Sequence, residues 1–294
     1  MGSGSRSVSC DWLFVDGSSL IFRAFYGVPK TVRSPDGTLI NAARGFLETL
    51  TRLAGTRQPK HIAVASDADW RPDWRVALIP GYKAQRVAEP IPPALIPQMP
   101  VIDAFLAAIG IDALGVAGYE AEDVIATWTA KAGGTVEIVS GDRDLFALVE
   151  DPRVTVLYPE KGAWALVDES EVTRRYGIPG RRYADYAMLR GDPSDGLPGL
   201  KGVGAVAAAS MIRQHGGVAA LLETRRLSEH DQDYLTRASQ VVPPVPDLAI
   251  ELPEGRRTRY PVDPAALNTL MAEHGLQAAS SRLVDALNRQ LADP

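Results

Sequence analysis

The chain has 294 residues, 46% of them hydrophobic, enough to bury a sizeable core. One cysteine, Cys10, and four histidines without ligand spacing exclude an internal disulfide and a thiolate-rich zinc site. A net charge of −5 argues at first sight against a polyanionic partner, and no apolar run approaches the ~20 residues of a membrane span.

Met1–Ser7, without an apolar centre, reads as a flexible tail rather than a signal peptide. Trp12–Val15 is a short apolar run ending at Asp16-Gly17, and Leu20–Phe25 then fits a helix start, giving a strand–turn–helix unit. The helical pattern Ala42–Leu53 leads to His61-Ile62-Ala63-Val64-Ala65, a buried strand ending at Ser66-Asp67. Between Trp70 and Pro100, seven prolines exclude one continuous helix. An excursion of that length from a sheet is commonly functional or mobile. Val101–Ile109 is helical again, and Val136–Val139 is a third strand, ending at Ser140-Gly141-Asp142. Helices between the strands supply the crossovers of a parallel sheet. After about residue 180, helical patterns take over: Tyr183–Leu189, Ala205–Gln214, Val218–Leu222, Asp231–Val241, Leu267–His274 and Ala279–Leu291. The expected architecture is α/β with a mostly parallel sheet over 1–180, the excursion at about 70–100, and a helical lobe over 181–294.

Three strands end in an acidic residue, at the edge where open α/β sheets bind ligands. With the acids further along the chain, this gives a candidate set: Asp16, Asp67, Glu120, Glu122, Asp123, Asp142, Asp144, Asp192 and Asp195. Hard divalent cations prefer carboxylate and water oxygens, and two such ions about 3.5–4 Å apart serve phosphodiester cleavage. Each acid taken alone also fits a turn or a helix start. Three acids in the four positions from Glu120 to Asp123, however, exceed what capping needs, and their repulsion asks for a cation. Glu120 and Glu122, two apart, converge only if the first lies at the helix boundary. In extended backbone, Asp142 and Asp144 would point the same way. Setting aside the nine acids leaves 27 against 31 bases, so a positive ligand-facing surface is compatible with the negative total.

Two further stretches suit nucleic acid. Leu197–Gly204 precedes a small-residue helix; its glycines let backbone N–H groups approach a phosphate, with Lys201 adding charge, unless they serve only close helix packing. In the excursion, Arg71, Arg75, Lys83 and Arg86 are interleaved with Trp70, Trp74 and Tyr82, a pattern that fits either a single strand or a solvated charged face.

Taken in order, Phe14-Val15-Asp16-Gly17, Ser66-Asp67, Tyr82-Lys83-Ala84-Gln85-Arg86, Gly118 through Asp123, Gly141-Asp142-Arg143-Asp144-Leu145 and Gly191 through Gly204 resemble the bacterial 5′ nuclease family. That family includes flap endonucleases and the 5′-nuclease domain of DNA polymerase I. The resemblance implies a PIN-like core, a helical arch over a two-metal site, and a helix–three-turn–helix that grips duplex DNA and often a K⁺ ion. It assigns Asp16, Asp67, Glu120 and Glu122 to one divalent ion and Asp142, Asp144 and Asp195 to a second, with Asp123 and Asp192 as outer or bridging members. Two or three Mg²⁺ or Mn²⁺ ions are expected. Asp69 competes with Asp67, because this chain reads Ser66-Asp67-Ala68-Asp69 where the family has an aromatic before a single acid. Lys83 and Arg86 match arch residues that contact the scissile phosphate, and Arg71, Arg75, Tyr82, Lys201, Gly202, Val203 and Gly204 are the expected DNA contacts. Nothing after Leu291 has room for a polymerase, so a stand-alone, monomeric, cytoplasmic, nucleoid-associated nuclease is expected, acting on DNA with a 5′ flap, nick or branch. The rival readings are a ribonuclease on the same acidic core and a noncatalytic branched-DNA-binding protein.

Overall fold

The computed structural model describes residues 9–88, 91–224 and 227–292; the expected tail at Met1–Ser7 lies outside the described residues, as do Glu89 and Pro90 of the excursion. In chain order the first elements are β1 (Trp12–Asp16), α1 (Gly17–Gly27), α2 (Asn41–Arg57), β2 (His61–Ala65), α3 (Asp73–Leu78), α4 (Gln85–Ala88) and α5 (Gln98–Ile109). Next come β3 (Asp112–Leu114), α6 (Ala121–Lys131), β4 (Val136–Val139), a 3₁₀ turn at Asp144–Leu148, β5 (Val154–Glu160), β6 (Ala163–Val167) and α7 (Glu169–Tyr176). The chain closes with α8 (Tyr183–Arg190), α9 (Ala205–His215), α10 (Val218–Glu223), α11 (Glu229–Val241), α12 (Pro264–His274) and α13 (Gln277–Ala292).

The strands form one sheet in the order β3-β2-β1-β4-β5-β6, parallel except for β6, which runs antiparallel to β5. Successive side chains of a strand point to opposite faces, and each face here has its own core. Trp12 and Phe14 of β1, with Ala63, Ala65, Val136 and Ile138, pack against α6 and α8–α11. Leu13 and Val15, with Ile62, Val64 and Val139, pack against α1, α2, α5, α12 and α13. Strands buried on both faces read as continuous apolar runs, which is why β1, β2 and β4 stood out in the sequence.

Three strands, β3, β5 and β6, did not. β3 is three residues long, and β6 is a half-exposed edge strand joined to β5 by a tight turn in which Lys161 (φ 47°) and Gly162 (φ 82°) are both left-handed. The boundary expected at 180 falls inside a shared core. Helices α8–α11 continue the core under α6, while α12 packs on α5 and α13 on α2, across the sheet. Among the described residues, the proline-rich excursion holds the short α3 and α4 before α5, in keeping with its prolines.

Candidate active site

The site grows from the carboxyl ends of β2, β1 and β4, three adjacent strands of the sheet. Asp16, last residue of β1, caps α1: its Oδ1 accepts the Ser19 N–H at 2.9 Å. Just past β2, the Asp67 N–H donates to Ser18 Oγ at 2.8 Å and its Oδ1 accepts the Ala121 N–H at 2.7 Å, tying this turn to the start of α6. Glu120 is the N-cap of α6, the boundary position that lets it and Glu122 converge, and the Asp123 carboxylate accepts the Glu120 N–H at 3.1 Å. After β4, Asp142 and Asp144 converge by a turn rather than by extended backbone: Asp142 Oδ1 accepts the Asp144 N–H at 2.9 Å as the 3₁₀ turn begins. Beyond α8, Asp192 accepts the Ser194 N–H at 2.9 Å and the Arg143 guanidinium at 3.2 Å, and Asp195 Oδ1 lies 4.0 Å from Lys83 Nζ.

Eight of the nine predicted acids line one cleft of about 420 Å³, together with Lys83 and Arg86. Asp123 does not join them. It is fully buried, with its Oδ1 accepting the Arg75 Nη2 at 2.7 Å and the Val245 N–H at 2.8 Å. Its place in the helix cap commits it to structure, something the run of acids alone did not distinguish. Asp67 faces the cleft, whereas Asp69 turns back to accept the Arg71 N–H at 3.2 Å, which places Asp67 rather than Asp69 among the site acids. Oxygens of Glu122, Asp142 and Asp144 lie within 4.8 Å of one another, the set among the described residues able to hold one ion. Glu122 thus groups with the acids after β4, where the resemblance had put it with Asp16 and Asp67.

Burial gives the cleft a strong electrostatic demand. It pushes Asp16 up to about 7, with Asp67 adding to the shift. It also raises Asp67, Asp142, Glu122 and Asp144, the last two well above the usual carboxylate range. Glu120 is the exception: against burial, Lys83 and then Arg75 hold it below its ordinary value. Lys83 is buried yet firmly protonated, since Glu122, Tyr82 and Glu120 outweigh the desolvation that opposes its charge. Lys83 Nζ donates to Glu120 Oε1 at 2.6 Å and Arg86 Nη1 approaches the same oxygen at 3.3 Å. Three cations, Lys83, Arg86 and Arg143, facing eight acids leave a carboxylate excess that hard divalent cations fit.

The expected nucleic-acid contacts divide. Lys201, Gly202 and Gly204 are exposed ahead of α9, whose first turn carries no side-chain cap, leaving its N–H groups open to an anion. Val203 in the same turn is half-buried. Turns at Asp192–Asp195, Pro193–Gly196 and Leu200–Val203 connect α8 to α9. In the excursion, Arg75 and Tyr82 depart from the expectation. Both are buried, Arg75 against Glu120 and Asp123, and Tyr82 with its hydroxyl donating to Glu120 Oε2 at 2.6 Å. Arg71 braces the turn below them through the carbonyls of Tyr82 and Pro80. Local sequence offered no helical or strand period there from which to read which side chains turn inward. Lys83 has φ 45° and precedes α4, so it reaches Glu120 from a turn, and Arg86 reaches it from α4.

Sequence reading missed three hydroxyls. Ser18, Ser19 and Ser140 each hold a site backbone or carboxylate: Ser18 accepts from Asp67, Ser19 accepts the Gly141 N–H at 3.0 Å, and Ser140 donates to Asp16. Their signal was their position beside each strand end. Missed too is Phe22, which pairs on the rim with Trp70, ring centroids 6.3 Å apart.

Residues 11–177 match the model of the 5′-3′ exonuclease N-terminal resolvase-like domain, more than half of the chain. The chain belongs to the 5′-3′ exonuclease family. It is a nuclease. It is 47% identical to the 5′-3′ exonuclease of Streptomyces coelicolor over 94% of this chain and 99% of that protein, a span that takes in the turns and helices beyond residue 177. DNA polymerase I of Mycobacterium bovis is 41% identical over 72% of the exonuclease but 24% of its own length. The fold is shared with the bacteriophage T5 flap endonuclease in a pseudo-enzyme–product complex with DNA and metal ions, at a TM-score of 0.62, 18% identity, and coverage of 95% and 98% of the two chains. Among the described residues of the exonuclease, no helix is long and apolar enough to cross a membrane.

Proposed function

We propose that the exonuclease is a structure-specific 5′ nuclease, hydrolysing phosphodiesters in flapped, branched or nicked DNA as both a 5′ flap endonuclease and a 5′-3′ exonuclease. The observation that carries this reading is the convergence of eight carboxylates, Lys83 and Arg86 in one cleft, with an exposed glycine turn following Asp195 in the chain. Glu122, Asp142 and Asp144 would hold one divalent ion, with Asp195 beside Asp144 and Asp192 at its margin, and Asp16, Asp67 and Glu120 would form the second site. Mg²⁺ or Mn²⁺ bound there supplies charge neutralisation, an activated water and a stabilised leaving oxygen. Lys83 and Arg86, which line the cleft, would contact the scissile phosphate, and their charges would favour the extra negative charge of the transition state. The open N–H groups after Gly204 would grip the duplex backbone, with a K⁺ ion beside them, while Lys201 adds a salt-dependent contact.

The enzyme is proposed to act as a monomer in bacterial replication and repair, leaving a 5′-phosphate and a 3′-hydroxyl. The test is a substrate panel with Mg²⁺ or Mn²⁺: a 5′-flapped duplex, a nicked duplex, a closed circle, and a flap of RNA. Cutting of the first two, with the circle intact and the RNA flap slower, supports the reading. Preferential cutting of RNA would move the assignment to a ribonuclease, and binding without any cutting would make it a branched-DNA-binding protein.

A further inference from the structure

The two oxygens of Glu120 face different partners. Oε1 receives Lys83 and Arg86, which line the cleft, while Oε2 receives Arg75 Nη1 at 2.5 Å and the Tyr82 hydroxyl at 2.6 Å, neither of which does. Arg75 is held in turn. Its Nη2 donates to Asp123 Oδ1 at 2.7 Å, that oxygen also accepts the Val245 N–H, and the guanidinium lies 4.8 Å from the centre of the Trp74 ring. The same Nη1 lies 3.3 Å from Glu122 Oε1, so one planar group touches three acids of the α6 start.

We propose that Arg75 is a positioning residue: anchored by Asp123, it holds the Glu120 and Glu122 carboxylates in the geometry that divalent cations require. The proposal rests on the reading of the cleft as a divalent-cation site. Glu120 and Glu122 repel one another and, two positions apart, would splay from a free helix end. A cation behind them offsets that repulsion, and the guanidinium fork fixes direction as well as charge, which a lysine ammonium does not. Arg75 leaves its own Nε without a partner among the described residues, so its orientation follows its acidic partners rather than the satisfaction of every donor. Groups behind a metal-binding carboxylate set its orientation and hence metal affinity. A residue of the excursion thereby acts on the metal site from outside the cleft, without touching DNA.

The test measures Mn²⁺ binding by calorimetry in the parent, Arg75→Lys, Glu120→Gln and the double variant, alongside flap-DNA binding without metal. Arg75→Lys should weaken Mn²⁺ binding about 10–100-fold, leave DNA affinity unchanged, and recover most of kcat at saturating Mn²⁺. In the Glu120→Gln background, the part of that effect carried through Glu120 should vanish, leaving the smaller part carried through Glu122. Unchanged Mn²⁺ affinity, an effect of full size in the Glu120→Gln background, or a loss confined to DNA binding overturns the proposal. Should Arg75→Lys fail to fold, Tyr82→Phe removes one donor to the same oxygen and must weaken Mn²⁺ in the same direction; no change there overturns it equally. A parent that binds Mn²⁺ yet cuts no flap rejects the nuclease assignment while leaving Arg75 in place, and a parent that binds no Mn²⁺ rejects both.

Discussion

Ser140 donates its hydroxyl to Asp16 Oδ2 at 2.5 Å across 124 residues of chain, and Ser140 Oγ in turn accepts the Asp142 N–H at 2.8 Å. A single buried hydroxyl therefore joins the carboxylate that ends β1 to the acidic turn that follows β4. It fixes the distance between two halves of the site before any ion arrives.

Ser140→Ala should loosen that link. The Asp142 N–H would be left buried without a partner, costing about 1–3 kcal/mol, and divalent affinity should fall about 10–100-fold. A Mn²⁺ titration of the melting temperature and of the cleavage rate reads both effects. Wild-type metal dependence in this variant would show that the turn holds its shape without the hydroxyl.

The raised carboxylates set the pH behaviour of the metal-free protein. Asp16 keeps its proton to about 7 when folded, but releases it near its ordinary 3.8 when unfolded. Its contribution to stability is complete below the lower value and is lost as pH rises through the higher one. Glu122 and Asp144, raised by burial, act in the same direction. Glu120, held low by Lys83 and Arg75, has the opposite sign, but its contribution fades only under acid, below the window in question. Metal-free enzyme should thus melt at a lower temperature at pH 7.5 than at pH 5 (roughly the span of these shifts). Mg²⁺ or Mn²⁺ should close the gap, stabilising more as pH rises because bound cations favour the ionised acids. A metal-induced shift that shrinks with rising pH contradicts this account.

The excursion and the glycine-rich turn meet backbone to backbone at Gly81, Lys83, Asp195 and Gly196. A Cβ at Gly196, where φ is 69°, would fall on the Gly81 carbonyl, and Asp195 O accepts the Lys83 N–H at 3.0 Å. Gly196→Ala should therefore displace Lys83 and lower kcat as well as melting temperature. Gly202→Ala is the control: its φ is 77°, but a Cβ there meets nothing within 4 Å, so it should carry only the left-handed strain of about 1–2 kcal/mol. Equal effects of the two substitutions on kcat would refute the coupling.

What the chain revealed before folding follows from which signals are local. Asp16, Asp67 and Asp142 were legible because each ends a doubly buried strand, and a parallel sheet delivers all such ends to one edge. Asp192 and Asp195 were legible from the glycine turn that carries them. Arg75 was misread because, in a stretch broken by prolines, nothing periodic tells an inward arginine from a solvated one; only the fold brings it to Asp123. Asp123 was misread for the complementary reason: its run of acids looked uniform, while the helix start sends Glu122 to the cleft and Asp123 to the interior. β6 was missed because an edge strand with one exposed face lacks the apolar run that marked β4.

The most direct test of the carboxylate cleft as the catalytic centre is Asp142→Asn assayed on a 5′-flapped duplex with saturating Mg²⁺ or Mn²⁺. This substitution keeps size and shape while removing a charge from the Glu122–Asp142–Asp144 set. Cleavage should fall by about 100-fold or more, with binding of the flap unchanged or tighter. Cleavage at the parent rate with intact metal dependence would contradict the account.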